Sequence, residues 1–140
     1  MLAAFYKATR PGLQGLYSRA VRLVDRGPYS HCELLFSDGL SASASYADGG
    51  VRFKPITYSA EHWDFVELPD QLEAPARSWF TQHNGEPYDL LGNLRFIFWM
   101  VREAPAGYFC SEAVAAALGI KEPWRLGPNG LAAILKSNFN

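Results

Sequence analysis

Five short runs of apolar and aromatic residues in the first half of the chain predict β-strands. The runs end at Gly, Pro, Asp or Ser, which is typical of strands bounded by turns. They cover residues 2–8, 30–36, 40–46, 51–56 and 63–68. The step Ser37-Asp38-Gly39 predicts a three-residue hairpin loop with a left-handed glycine, so we expect the second and third strands to pair.

A hairpin register that pairs Phe36 with Leu40 gathers polar side chains on one face of the sheet. Side chains alternate along a strand and opposite positions share a face, so this register groups four residues. They are His31, Glu33, Ser43 and Ser45. Cys32 turns to the opposite face, where we expect it to pack in the core.

Apolar residues spaced three or four positions apart predict helices elsewhere in the chain. These helices cover residues 13–25, 72–83, 110–118 and the region near 131–135. A further helix is predicted to open at Tyr88-Asp89 and to run towards Val101; it is apolar nearly all round, which favours burial or an interface. The pattern therefore predicts an α+β fold, a small antiparallel sheet packed against helices, in one domain of residues 1–140.

The composition narrows the class of protein. The chain carries 13 Lys and Arg against 14 Asp and Glu, a net charge of −1, and 49% of its residues are hydrophobic. So high an apolar fraction at so low a net charge excludes an intrinsically disordered chain. The chain has no excess of Lys and Arg over Asp and Glu, which argues against a nucleic-acid partner bound mainly by electrostatics.

No targeting or transmembrane segment is predicted. The most apolar run, residues 94–101, contains Arg95 and is far shorter than the roughly 20 apolar residues of a membrane-spanning helix. We therefore expect a cytoplasmic location with free thiols, while export by another route stays open. In an exported chain, Cys32 and Cys110 become candidates for a disulfide.

Cys110 is the first candidate for chemistry, because it is predicted to open a helix after the aromatic pair Tyr108-Phe109. A thiol at a helix N-terminus lies beside unpaired backbone N–H groups and the positive end of the helix dipole, which favours the thiolate. The same N–H groups are suited to stabilising an oxyanion in acyl transfer. A small buried hydrophobe is the alternative role for such a cysteine.

His31 gives Cys110 a candidate base. It opens a strand, which holds an imidazole rigidly, and the paired strand offers polar groups on the same face. A Cys–His pair with a third group that orients the imidazole is the general arrangement of thiol acyl-transfer enzymes. A capping or core histidine is the alternative.

Three short segments, taken in order, resemble the circularly permuted papain-like superfamily, which is related to the NlpC-type cysteine peptidases. The segment from His31 to Gly39 is similar to the family's histidine strand and glycine turn. Residues 85–89 look like its Gly-x-x-Tyr-Asp approach to a helix, and residues 108–112 resemble its nucleophile motif. The histidine strand precedes the cysteine helix here, as in the permuted members, so the resemblance implies a permuted papain-like topology.

The resemblance also implies roles for individual residues. Cys110 would be the nucleophile and His31 the general base of a catalytic dyad. The family's third residue, which orients the imidazole, falls on Ser43 in an ungapped comparison. Serine is a departure, since the family commonly has His, Asn, Gln or an acid there. Ser45 and Glu33, on the same predicted face, are the alternative orienting residues.

These residues lead to one main hypothesis and three alternatives. The chain is expected to be a cysteine hydrolase, a peptidase or amidase that cleaves an amide or related acyl bond. Its substrate would be a peptide, a peptidoglycan fragment or an acyl amide, with Tyr108 lining the substrate site or packing beside it. The serine at position 43 leaves open a catalytically weak or inactive binding module. The apolar helix towards Val101 leaves open a lipid-directed acyl hydrolase or acyltransferase, and the aromatic content leaves open a subunit of a larger assembly of unknown oligomeric state.

We expect no cofactor and no metal. The cysteines and histidines lack the Cys-x-x-Cys and His-x-x-x-His spacings of structural zinc sites. The glycine-containing turns at residues 48–50 and 127–130 match no nucleotide-binding fingerprint.

Overall fold

The computed structural model describes residues 1–9, 12–89 and 107–139, and within these ranges the chain forms strands and α-helices close to the predicted positions. The strands are β1 (Leu2–Tyr6), β2 (His31–Leu35), β3 (Leu40–Ser45), β4 (Gly50–Pro55) and β5 (Trp63–Glu67). The helices are α1 (Leu13–Val24), α2 (Glu73–Gln82), α3 (Cys110–Ala117) and α4 (Pro128–Phe139). The predicted α+β class and antiparallel sheet are confirmed. No helix of the described ranges combines the length and the apolar character needed to cross a membrane.

The five strands form one antiparallel sheet in the order β4-β3-β2-β1-β5. β4 and β5 are consecutive in sequence but lie at opposite edges, so residues 56–62 run from one edge to the other. Tyr58 in this segment shows the path: its hydroxyl lies 2.8 Å from Ser41 Oγ on β3, and its ring packs edge-on against Trp63 on β5. The segment therefore lies over the face of the sheet that carries Ser41 and Trp63.

The opposite face of the sheet carries the hydrophobic core. α2 packs against β4, α3 against β2 and β3, and α4 against β5. β3 and α3 pack against each other, and both contribute alanines to the core: Ala42 and Ala44 from the strand, Ala113 and Ala117 from the helix. Such small side chains let the helix approach the sheet closely, and this brings the start of α3 to β2.

The predicted hairpin register is confirmed where the two strands pair. Phe36 N–H donates to the Leu40 carbonyl at 2.9 Å, and Leu34 lies opposite Ala42. The ladder between β2 and β3, which both lie within the described residues, consists of two residue pairs, 34 with 42 and 35 with 41. Before Leu34 the strands separate, so the first half of β2 runs without β3 as its hydrogen-bonded neighbour.

The predicted helix from Tyr88 towards Val101 is wrong in its first residues. Pro87 and Tyr88 form isolated β-bridges, to Gly50 and Tyr108 respectively. The bridges and the restriction that a proline places on the residue before it keep this stretch extended. The rest of the predicted helix, residues 90–101, lies outside the described residues.

Candidate active site

Cys110 is the first residue of α3, as predicted, and backbone bridges fasten the chain that leads to it. Tyr108 N–H donates to the Pro87 carbonyl at 3.2 Å, and Asp89 N–H donates to the Tyr108 carbonyl at 3.2 Å. Gly107 permits this close approach, because at its φ of +152° a Cβ would lie 2.7 Å from the Pro87 carbonyl oxygen. The thiol thus enters the core, 3% exposed, at a helix start fixed by main-chain contacts.

The fold brings His31 and Cys110 together from elements far apart in sequence. His31 opens β2, and its imidazole lies beside the Cys110 sulfur, where each group shifts the pKa of the other. Burial disfavours the charged imidazole, but the negative charge on Cys110 and hydrogen bonds to Cys110 and Glu33 raise the pKa of His31 to about 9. The histidine is therefore protonated at neutral pH.

The Cys110 sulfur has a second partner, Cys32, which lies where β2 has separated from β3. The Cys32 S–H and backbone N–H are the donors that favour a negative charge on the Cys110 sulfur, and His31 adds its positive charge. These contacts outweigh burial and hold the pKa of the Cys110 thiol well below its ordinary value. Burial and the neighbouring Cys110 sulfur raise the pKa of Cys32, so the two opposite shifts favour a thiolate on Cys110, beside the His31 imidazolium, over one on Cys32.

Glu33 holds the other side of the His31 ring. His31 Nε2 lies 2.7 Å from Glu33 Oε1, which leaves Nδ1 for the sulfur. The carboxylate is 1% exposed and accepts two hydrogen bonds from Arg52, one on each oxygen and each 2.7 Å long. Burial disfavours the charge, but the bonds from Arg52 and His31 lower the pKa of Glu33 below its usual value. Of the three residues considered for orienting the imidazole, Glu33 is the one that contacts it.

Ser43 does not occupy the predicted orienting position. Its hydroxyl is buried and donates to the Cys32 carbonyl at 2.7 Å. That carbonyl lies beyond the last β2–β3 pair, so the serine side chain supplies the donor that the strand backbone would otherwise provide. Ser45 lies instead beside Asp48, in the turn after β3. The register correctly groups these serines with Glu33, but the separation of the strands moves their hydroxyls away from His31.

Arg52 and Cys32 complete the site, although the sequence pattern predicts a functional role for neither of them. Arg52 lies opposite Ser43 on the neighbouring strand β4, so alternation places it on the polar face with Glu33. The signal in the sequence that identifies Arg52 is the hairpin register, when that register is extended across the turn between β3 and β4. Cys32 had no such signal, because alternation correctly turns it into the core and only the tertiary packing of α3 brings Cys110 to it.

The remaining predicted contributor, Tyr108, packs against α2. Its ring makes edge contacts with Trp79 at 5.0 Å and with His83 at 5.6 Å between ring centroids. It is half-buried and lies two residues before Cys110, so it packs beside the site with part of its surface exposed. Among the described residues, no group of three or more His, Cys, Asp and Glu side chains is arranged to hold a metal ion.

A surface cavity of about 290 Å³ adjoins the Glu33 side of the site. Its walls include Glu33, Ser45, Asp48, Arg52 and Trp63. The carboxylate and guanidinium behind the imidazole thus border an opening to the surface, while the sulfur itself is nearly enclosed.

Comparisons with models of protein families, with curated proteins and with solved structures found no match to this chain.

Proposed function

We propose that this chain is a cysteine hydrolase that cleaves an amide or related acyl bond, with Cys110 as nucleophile, His31 as acid and base, and Glu33 as the orienting residue. The observation that carries the proposal is the contact between Cys110 and His31, in which the pKa of the thiol is lowered and that of the imidazole raised. Opposed shifts on two neighbouring groups are the usual mark of an acid–base or nucleophilic pair.

The first half of the reaction starts from the Cys110 thiolate and the His31 imidazolium. The sulfur attacks the substrate carbonyl carbon, and the carbonyl oxygen becomes an oxyanion. The N–H groups at the N-terminus of α3, beside the sulfur, are suited to stabilising it. His31 then gives its proton to the leaving amine, so the C–N bond breaks and a thioester forms on Cys110.

The second half regenerates the pair. Neutral His31 takes a proton from a water molecule that attacks the thioester carbonyl. The C–S bond breaks, the acid product leaves, and the thiolate and imidazolium return. Glu33 supports both halves, because its hydrogen bond to Nε2 keeps Nδ1 directed at the sulfur and stabilises the imidazolium whenever it forms.

Two further features support a permuted papain-like enzyme. The histidine strand precedes the cysteine helix in the chain, and that helix packs with its first residue against an antiparallel sheet. The inactive binding module is considered because a serine falls at the position of the orienting residue. The imidazole is contacted by the Glu33 carboxylate and not by Ser43, which supports an active enzyme instead.

The test is turnover on a panel that holds a peptide, a peptidoglycan fragment, an acyl amide and a glycerolipid ester. Hydrolysis of a peptide, peptidoglycan or acyl-amide member supports the amide-directed enzyme, and hydrolysis confined to the glycerolipid favours the lipid-directed alternative. We expect a covalent acyl adduct on Cys110 by intact mass, abolished in Cys110→Ala. His31→Gln should lower kcat by at least about 100-fold, the usual contribution of a general acid–base. The exposed His62 is the matched control, and His62→Gln should leave turnover unchanged.

Two results contradict the proposal. Full turnover by Cys110→Ala on an accepted substrate excludes the thiol mechanism. Absence of turnover, together with alkylation of Cys110 at the rate and pH of an ordinary thiol, identifies a binding module instead.

A further inference from the structure

A continuous chain of side chains with alternating charge leads from the nucleophile to the protein surface. In order, its members are Cys110, His31, Glu33, Arg52, Asp48 and Lys54. Arg52 Nε donates to Asp48 at 2.9 Å, and Lys54 donates to the other Asp48 oxygen at 2.7 Å. Each charge is thus flanked by charges of opposite sign, and Arg52 lies at the centre of the chain.

Arg52 determines how the Glu33 carboxylate is held. Its two terminal nitrogens bind one carboxylate oxygen each, and this planar fork fixes both the position and the plane of the carboxylate. Glu33 Oε1 is bonded by both Arg52 and His31 Nε2. The guanidinium therefore fixes the orientation of the carboxylate oxygen to which the imidazole is bonded. The third contact, to Asp48, keeps the guanidinium itself from rotating.

We propose that Arg52 is a positioning residue of the active site, which acts through Glu33 to hold the His31 ring towards Cys110 and to keep Glu33 ionised. The proposal rests on the proposed function for its effect on turnover. Its effect on the Cys110 thiolate is measurable without any substrate.

Two contributions of Arg52 are separable by substitution. Arg52→Lys keeps the positive charge but loses the planar fork. Arg52→Gln loses both, so the buried Glu33 carboxyl is left with a weaker donor and takes up a proton at higher pH. Among the described residues, the titratable and charged groups that act on the site around His31 and Cys110 are Glu33 and Cys32 from β2, Arg52 from β4, Asp48 from the turn before it, Tyr58 from residues 56–62, and Asp25 from the end of α1.

The experiment is the rate of Cys110 alkylation by iodoacetamide from pH 4 to pH 10, read by mass spectrometry on the Cys110 peptide so that Cys32 is excluded. In Arg52→Gln we expect the acid limb to move to higher pH, with about tenfold slower alkylation below the limb for each pH unit of movement. In Arg52→Lys we expect the limb near its original position, while kcat falls about tenfold and KM stays unchanged. The matched control is Arg77→Gln, which removes an arginine paired with Asp38 at 2.9 Å outside this chain of contacts.

Glu33→Gln provides the test that Arg52 acts through Glu33. Adding Arg52→Gln to Glu33→Gln should bring no further change in the alkylation profile, and the double variant leaves no unpaired carboxylate at position 33 to unfold the protein. The proposal is overturned if the effects of Glu33→Gln and Arg52→Gln on the alkylation profile are independent and add. It is also overturned if Arg52→Gln and Arg52→Lys both fold and both give the wild-type alkylation profile and kcat. A wild-type Cys110 that alkylates like an ordinary thiol overturns the proposed function instead, so the two failures are distinguishable.

Discussion

Glu33→Gln is the most informative single change, because it keeps the shape of the side chain and removes its charge. In the native site, the carboxylate lies 2.7 Å from His31 Nε2 and receives the two 2.7 Å bonds of Arg52. The amide that replaces it retains one oxygen acceptor. It no longer offers a counter-charge to the imidazolium or to the guanidinium.

The size of the effect follows from these contacts. A hydrogen bond to a charged group contributes about 1.5–3 kcal/mol, and a pKa unit corresponds to about 1.4 kcal/mol. Loss of the carboxylate should therefore lower the pKa of His31 by about one to two units from its value of about 9. The free energy of unfolding should fall by about 3 kcal/mol, at the lower end of the cost of breaking a buried pair, because Arg52 keeps Asp48.

The assay is an NMR titration of the His31 ring, paired with the pH dependence of kcat/KM. Because His31 must be protonated to release the leaving amine, activity is lost as pH rises through the pKa of His31. The basic limb is expected near pH 9 in the native protein and one to two units lower in Glu33→Gln. Urea unfolding gives the stability change in the same samples.

The control is Glu67→Gln, which neutralises an exposed glutamate on β5. It should leave the titration of His31 and the basic limb of kcat/KM unchanged. An imidazole that still titrates near pH 9 in Glu33→Gln refutes the reasoning. In that case Cys110 alone raises the pKa of His31, and Glu33 has only a structural role.

Three other substitutions test separate parts of the site. Cys32→Ala should move the acid limb of Cys110 alkylation to higher pH, because the thiolate loses its S–H donor; Cys32→Ser should restore part of the shift. Ser43→Ala should cost about 1 kcal/mol of stability in urea unfolding, the contribution of one hydrogen bond, without moving the basic limb near pH 9. Gly107→Ala should lower stability by about 2 kcal/mol or more and slow alkylation of Cys110, because the added Cβ collides with backbone. The matched control, Gly119→Ala at the other end of α3, has a positive φ but open space around it, so its cost should be about 1 kcal/mol without loss of Cys110 reactivity.

The sequence determines the strands and helices of the described residues well, because each is marked by a clear period and by turn residues at its ends. The hairpin of β2 and β3 shows both the strength and the limit of such reasoning. Its turn fixes the register at Leu34 and Ala42, and alternation then places Glu33 on the polar face. Alternation says nothing about where a ladder stops, and the early end of this one redirects Ser43 to a backbone carbonyl.

The site itself was predictable in part. A cysteine at a helix start and a histidine at a strand start are visible in the sequence, and so is an acid two residues after the histidine. The contact of Cys32 with Cys110 is a tertiary event, set by how closely α3 packs on the sheet. No periodicity encodes that distance. The extended conformation at Tyr88 likewise depends on a partner, Tyr108, that is remote in sequence.

The bridge between Tyr88 and Tyr108 joins the chain at both sides of residues 90–106. Backbone hydrogen bonds tie these two ends together, so the place of Cys110 is set without reference to the length between them. Cys110 follows Tyr108 by two residues, so these main-chain hydrogen bonds set where α3 begins. The position of the sulfur is thus held by backbone as well as by side-chain packing, and a substitution that disturbs the bridge is expected to displace it.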